Sequence, residues 1–141
     1  FLARWPGRIP AAAVSDSLLS LVDLAPSFLE VAGIPIPGRM SGVSQLQAWQ
    51  GGEAARDHVT IENHHEPTTI HVKTYVDQRY KLTVYYRQEY GELFDLENDP
   101  GESTNLWDDP GHTALKEELI RSLLFAEMGK EPLPMPRIAG A

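Results

Sequence analysis

Thr69-Ile70-His71-Val72-Lys73-Thr74-Tyr75-Val76-Asp77-Gln78-Arg79-Tyr80-Lys81-Leu82-Thr83-Val84-Tyr85-Tyr86 is the stretch that decides how this chain folds. β-Branched and aromatic residues fill both halves, and Asp77-Gln78 between them has the side chains of a turn, so the run reads as two strands joined in a hairpin. Successive strand residues face opposite ways. Alternation therefore puts Ile70, Val72, Thr74 and Val76 on one face of the first strand, and Leu82, Val84 and Tyr86 on one face of the second. Further runs of this kind lie on either side, at Asp57–Asn63 and at Glu92–Leu96. A four-stranded antiparallel sheet with one buried face follows.

The pattern changes period after the fourth strand. Asp109 is placed as an N-cap, Pro110 as the first helical residue and Gly129 as the stop, with Leu115, Leu119, Ile120, Leu123 and Leu124 forming an apolar stripe. The seat of this helix is the apolar face of the sheet, which makes the class α+β. Toward the N-terminus, Phe1–Trp5 reads as a short strand stopped by Pro6-Gly7. Asp23 as cap, Pro26 in the first turn and Gly33 as terminator predict a helix over about Val22–Ala32. A short helical turn is expected near Val43–Trp49, and an extended tail over Glu131–Pro136. These signals divide the chain into residues 1–50, 51–130 and a tail of 131–141.

Composition narrows the function classes. The chain has 141 residues, 42% of them apolar and 23% charged, which is the balance of a globular chain, and no apolar run is long enough to span a bilayer. A net charge of -8 argues against sequence-independent binding of nucleic acid, which needs clustered Lys and Arg. The absence of cysteine excludes disulfides, thiolate metal sites and a Cys nucleophile. The whole negative excess sits between Arg87 and Glu118, where Leu93, Phe94, Leu96, Leu106 and Trp107 interrupt the acids as no disordered acidic tail would. Within it, Asn98-Asp99-Pro100-Gly101 reads as a tight turn and Asp108-Asp109 as a helix start; a cation-binding loop is the alternative.

The densest polar cluster is Glu62-Asn63-His64-His65-Glu66, at the end of the first strand. Substrate contact and a solvated loop are both open readings. Metal binding is weakened by the spacing, since only alternate strand residues such as His64 and Glu66 converge. His71 on the next strand is either a neighbour on that side or a surface residue, and Lys73, Arg79 and Lys81 read as a basic patch beside the loop or as a solvated strand face.

Trp5-Pro6-Gly7-Arg8-Ile9, then Ser20 to Ile34 (SLVDLAPSFLEVAGI), Arg79-Tyr80-Lys81-Leu82, and Gly91 to Leu106 (GELFDLENDPGESTNL) occur in an order and spacing that resembles the C-terminal third of type I sulfatases, in the alkaline phosphatase superfamily. Ser27 stands where family members commonly have Thr, and Phe94 where many have Tyr. The resemblance implies an α/β parent enzyme that hydrolyses sulfate esters with a formylglycine, made from Cys or Ser, and a calcium ion. Those parts are expected upstream of Phe1, because no Cys/Ser-x-Pro-x-Arg motif occurs. No catalytic or metal-binding role is thus carried over to any residue here, and this chain alone is expected to be inactive. The resemblance further implies that residues 1–50 complete the large domain and that the small domain borders the cleft. His64 and His65, with Lys81, are then the candidates for contacting the alcohol portion of a sulfated small molecule or carbohydrate. A phosphodiesterase or phosphonate hydrolase of the same superfamily, and a non-catalytic binding module, are the alternatives. Separated from a large domain, residues 1–50 are expected to expose apolar surface and to promote self-association.

Overall fold

The computed structural model describes residues 1–65 and 70–130, apart from the side chain of His65. Glu66, Pro67 and the expected tail lie outside the described residues. In chain order come α1 (Leu24–Val31), α2 (Leu46–Trp49), the strands β1 (His58–His65), β2 (Ile70–Asp77), β3 (Tyr80–Tyr85) and β4 (Gly91–Asp95), and the long helix α3 (Thr113–Gly129). The strands form one antiparallel sheet in the order β1-β2-β3-β4. The α+β reading and the four strands match the sequence expectation. No helix among the described residues is long and apolar enough to cross a membrane.

A side chain at the β2–β3 turn fixes the register. The Asp77 carboxylate accepts from the backbone N–H groups of Arg79 (2.8 Å) and Tyr80 (2.7 Å), closing the β2–β3 hairpin. That places Tyr75 opposite Leu82, and Leu82 opposite Leu93. These three form the sheet's half of the core, with Leu119 and Leu123 of α3 as the other half and Tyr80, Val84, Leu106, Trp107, Leu115 and Ala126 around them. Leu82 and Leu93 are fully buried, each worth about 1.5–3 kcal/mol of transfer free energy. α3 starts as expected: Asp109 accepts from Gly111 N–H at 2.9 Å, Pro110–His112 forms a 3₁₀ turn, and the α-helix follows.

The face of β2 differs from the expectation. Val72, Thr74 and Val76 lie on the side away from α3, where Thr74 and Thr83 are paired in register and share a 2.9 Å hydrogen bond between hydroxyls. Tyr75 takes the core position because the Asp77 turn sets the register that places it opposite Leu82. The helix stripe is also narrower than predicted. Leu119 and Leu123 are buried, whereas Ile120 and Leu124 join Phe125 and Met128 on an exposed apolar side of α3.

The outer edge of β4 is closed without a fifth strand. Asn105 Oδ1 accepts from the N–H groups of Leu93 (2.9 Å) and Trp107 (3.0 Å), its Nδ2 donates to Gly91 O (2.9 Å), and Leu106 N–H donates to Leu93 O (2.8 Å). The Trp107 ring then lies flat over Gly91, where a Cβ would meet ring atoms at 2.4–2.5 Å. Only glycine fits under that ring. Asp95 and Asp99 serve the same segment: Asp95 receives Arg79 and Asn98, and Asp99 receives Ser103 and Thr104. The acidic run is thus turn and cap, as the sequence suggested.

Residues 1–56 are organised differently. Phe1–Trp5 forms no strand; Trp5 O instead accepts from Arg8 and Ile9 N–H in a turn, and the Phe1 ring stacks on Trp49 at 5.5 Å. A strand exists only through its ladder, and no described strand lies beside this segment. The predicted helix splits into a 3₁₀ turn, Leu21–Asp23, followed by α1. Asp23 does not cap α1. Its fully buried carboxylate accepts from Ser20 N–H (2.9 Å), Val43 N–H (2.9 Å), Gln45 Nε2 (3.1 Å) and the Arg56 guanidinium. Burial opposes the charge on Asp23, but Arg56 and the Ser20 and Val43 N–H groups outweigh it and hold the carboxyl below its ordinary value. Ser27 Oγ extends the knot, donating to Asp23 O (2.6 Å) and accepting from Gln45 N–H (2.9 Å).

Candidate functional site

The end of β1 and the start of β2 bring the polar cluster together with residues from three other elements. In the ladder His64 is directly opposite His71, and Glu62 directly opposite Lys73, so all four share one face. It is the face that carries α3. Lys73 Nζ donates to Glu62 Oε2 and to Glu127 Oε2 of the helix, both at 2.6 Å. His64 Nε2 lies 2.6 Å from Glu62 Oε1. Lys73, then His64, hold the Glu62 carboxyl down at about 2, so it is ionised and can only accept; the ring nitrogen facing it therefore carries a proton. The rings continue across the sheet: His64 to His71 at 3.9 Å between centroids, and His71 to Tyr86 at 5.3 Å. The Arg87 guanidinium lies 5.0 Å from the Tyr86 ring centre.

Chemically this is a row of three ring systems, bordered by the carboxylates of Glu62 and Glu127 with the Lys73 ammonium between them. Glu62, His64 and Tyr86 are exposed and Lys73 partly so, which leaves both π-faces and hydrogen-bonding groups available to a polar ligand. One atom each of Glu62, His64 and His71 can converge within 4.8 Å.

The residues predicted as a site separate. His64 sits in the row just described. His65 pairs with Ile70 through its backbone, and its side chain lies outside the described residues. Lys81 is on the opposite face of the sheet from His64, bonded to Glu102 Oε2 at 2.5 Å and 6.0 Å from the Phe94 ring centre. The expected basic patch does not form, because Lys73 and Lys81 point to opposite faces and Arg79 is paired with Asp95 and Glu97. The alternate-residue partner of His64 is Glu62. Glu66, the partner first considered, lies outside the described residues. His71, Lys73, Glu127 and Tyr86 are the members that sequence reasoning did not assemble. The i, i+2 spacing of Glu62 with His64, and of His71 with Lys73, was the available signal.

The calcium and formylglycine implied for the parent enzyme do not fit this chain's own residues. Among the described residues, Asp95, Asp99 and Asp109 are filled by guanidinium, amide, hydroxyl and imidazole donors, and the nucleophile motif is absent from the sequence.

A small antiparallel sheet backed by one long C-terminal helix, closed at β4 by an Asn-Asp-Pro-Gly turn segment, defines the C-terminal part of sulfatases of the alkaline phosphatase superfamily. The chain belongs to the family described as N-sulphoglucosamine sulphohydrolase, C-terminal, which matches residues 1–128. Among curated relatives it is similar to an ulvan-active sulfatase of Formosa agariphila, 30% identical across 87% of this chain and 31% of that protein. Among solved structures, one of a protein in complex with its substrate D-glucosamine-2-N,6-O-disulfate superimposes with a TM-score of 0.83 at 24% identity, over 90% of this chain and 27% of that one. Another, the phosphonate monoester hydrolase of Agrobacterium radiobacter, gives 0.65 at 19% identity over 77% and 25%. The chain spans less than a third of the length of the curated relatives it matches first.

Proposed function

We propose that this chain serves a sulfuric ester hydrolase acting on a sulfated carbohydrate, as the part that completes the large catalytic domain with residues 1–50 and forms one wall of the substrate cleft with residues 51–130. Nucleophile and metal ligands come from the rest of the enzyme, and this chain by itself turns over no ester. The observation that carries the reading is the row of exposed His64, half-buried His71 and exposed Tyr86 beside Glu62 and Lys73. Rings flanked by a carboxylate and an ammonium suit a sugar, which offers C–H faces to the one and hydroxyls to the other. Relatives that act on ulvan or bind a disulfated glucosamine favour this ligand class. His64 contacts the alcohol portion of the ester, with His65 as its neighbour on the strand.

In the full-length protein, His64→Ala and His65→Ala are tested separately on sulfated saccharides. A fall in kcat/KM for His64→Ala supports the reading, and unchanged kinetics for both variants overturns it. Lys81→Ala is the comparison, since its ion pair with Glu102 on the other face keeps it from the His64 row. The likeness to a phosphonate monoester hydrolase supports a second reading within the same fold. Full-length protein that cleaves phosphonate monoesters faster than sulfate esters would favour it, and protein that binds saccharide without cleaving either would favour a binding module.

A further inference from the structure

We propose that Glu62, His64 and His71 form a binding site for a zinc-class divalent ion on the α3 face of the sheet. Two imidazoles and one carboxylate are the donor set that selects zinc and its neighbours in the transition series over calcium or magnesium, which take oxygen ligands. Position supports the donor set. One atom from each residue already lies within 4.8 Å of the others, and tetrahedral zinc requires about 3.3 Å between ligand atoms at bond lengths of about 2.0–2.2 Å. Side-chain rotation covers that difference. The backbone has no need to move, because His64 and His71 are directly opposite in the ladder and Glu62 is two residues along the same strand.

The surrounding residues orient the ligands. Lys73 holds Glu62 Oε2 at 2.6 Å and is itself held by Glu127 at 2.6 Å, which leaves Glu62 Oε1 turned toward the imidazoles. Outer contacts of this kind fix a ligating carboxylate and tune metal affinity. On entry the ion takes the place of the hydrogen bond that His64 Nε2 now shares with Glu62 Oε1, and the neutral imidazole carries its proton on Nδ1. Three protein ligands leave a fourth position open on the exposed side, to water or to an anionic group.

The probes are Zn²⁺ and Co²⁺ added to the full-length protein after chelation and dialysis. Co²⁺ in a four-coordinate site with imidazole ligands gives intense visible d–d absorption, whereas an all-oxygen site of higher coordination number gives only weak bands. Expected are one equivalent of Zn²⁺ that displaces the Co²⁺ spectrum, a thermal midpoint that rises with Zn²⁺ concentration, and loss of both in His64→Ala and in His71→Ala. Lys73→Met is expected to weaken the ion by about 10- to 100-fold while leaving the spectrum in place. If His71→Ala does not fold, His71→Gln takes its place. Wild-type protein without the absorption, or His variants that retain the spectrum and the Zn²⁺-dependent midpoint, would overturn the proposal.

Discussion

Residues 1–56 and the sheet-helix unit that follows are built on opposite plans. In the sheet-helix unit, Tyr75, Leu82, Leu93, Leu119 and Leu123 are buried together as an apolar core. In α1 the buried residues are Pro26 and Ser27, while Phe28 is 60% exposed. The fixed centre of the first region is a carboxylate, Asp23, with its ring of N–H donors and Arg56. Phe1, Leu2, Val14, Leu21, Val22, Ile34 and Ile36 lie on the outside. One region makes its own core. The other is knotted by polar bonds and leaves many of its apolar side chains on the surface.

Cutting the knot is the strongest test of that contrast. Asp23→Ala leaves the half-buried Arg56 without its carboxylate and three further donors without an acceptor, at a cost of about 3–5 kcal/mol. Urea denaturation of the full-length protein should show it, with hydrogen exchange rising first at Ser20, Val43 and Gln45; protection unchanged there would mean that the knot is not what holds the region. Next in size, Leu93→Ala should remove about 2–5 kcal/mol by opening a cavity under α3, with exchange rising across the sheet and not around Asp23. Gly91→Ala forces a methyl group into the Trp107 ring and should cost about 1–3 kcal/mol. A normal Tm for that variant would show that the ring moves freely.

Acid should separate the two regions less sharply. Lys73 and His64 depress Glu62 from 4.5 to about 2, and the Arg79 guanidinium, with Asn98, holds Asp95 well below the usual carboxylate range. A carboxyl depressed in the folded state contributes stability that is complete above its unfolded value and is withdrawn as pH falls toward the folded one. The urea midpoint should therefore drop between about pH 4.5 and pH 2, and Glu62→Gln should flatten the fall. An equally steep fall in that variant would show that Glu62 has no part in it. The smallest effect on stability belongs to Phe28→Ser, within about 0.5 kcal/mol as for exposed sites generally. Its readout is association: the purified chain should sediment as a smaller species than wild type, and no change would show that this surface is not sticky.

Much of the fold was legible because its signals are local. The period of two in Thr69–Tyr86, the cap at Asp109 with Pro110, and the turn at Asn98–Gly101 each depend on neighbours a few residues apart. The face of β2 was not legible, since Val72, Thr74 and Val76 form as good an apolar row as Tyr75 does alone, and only the register chooses between them. Asp23 was misread for a related reason: a carboxylate before a helix looks like a cap, and partners 20 and 33 residues away leave no trace in local sequence. The site was half legible. His64 stood out, but its neighbours arrive from β2, β3 and α3 through a register that the sequence does not state.

The closure of β4 by Asn105 and Leu106 sets the terms on which this sheet meets other chains. Every outward N–H and C=O of Gly91 and Leu93 that Asn105 and Leu106 engage is lost to an incoming strand. On β1, by contrast, no backbone bond among the described residues meets the outer edge. Fibre growth needs two free edges per copy, so that each added strand exposes the next template. A sheet with one edge capped cannot propagate in this way, because a strand added at β1 would find no second template on this chain.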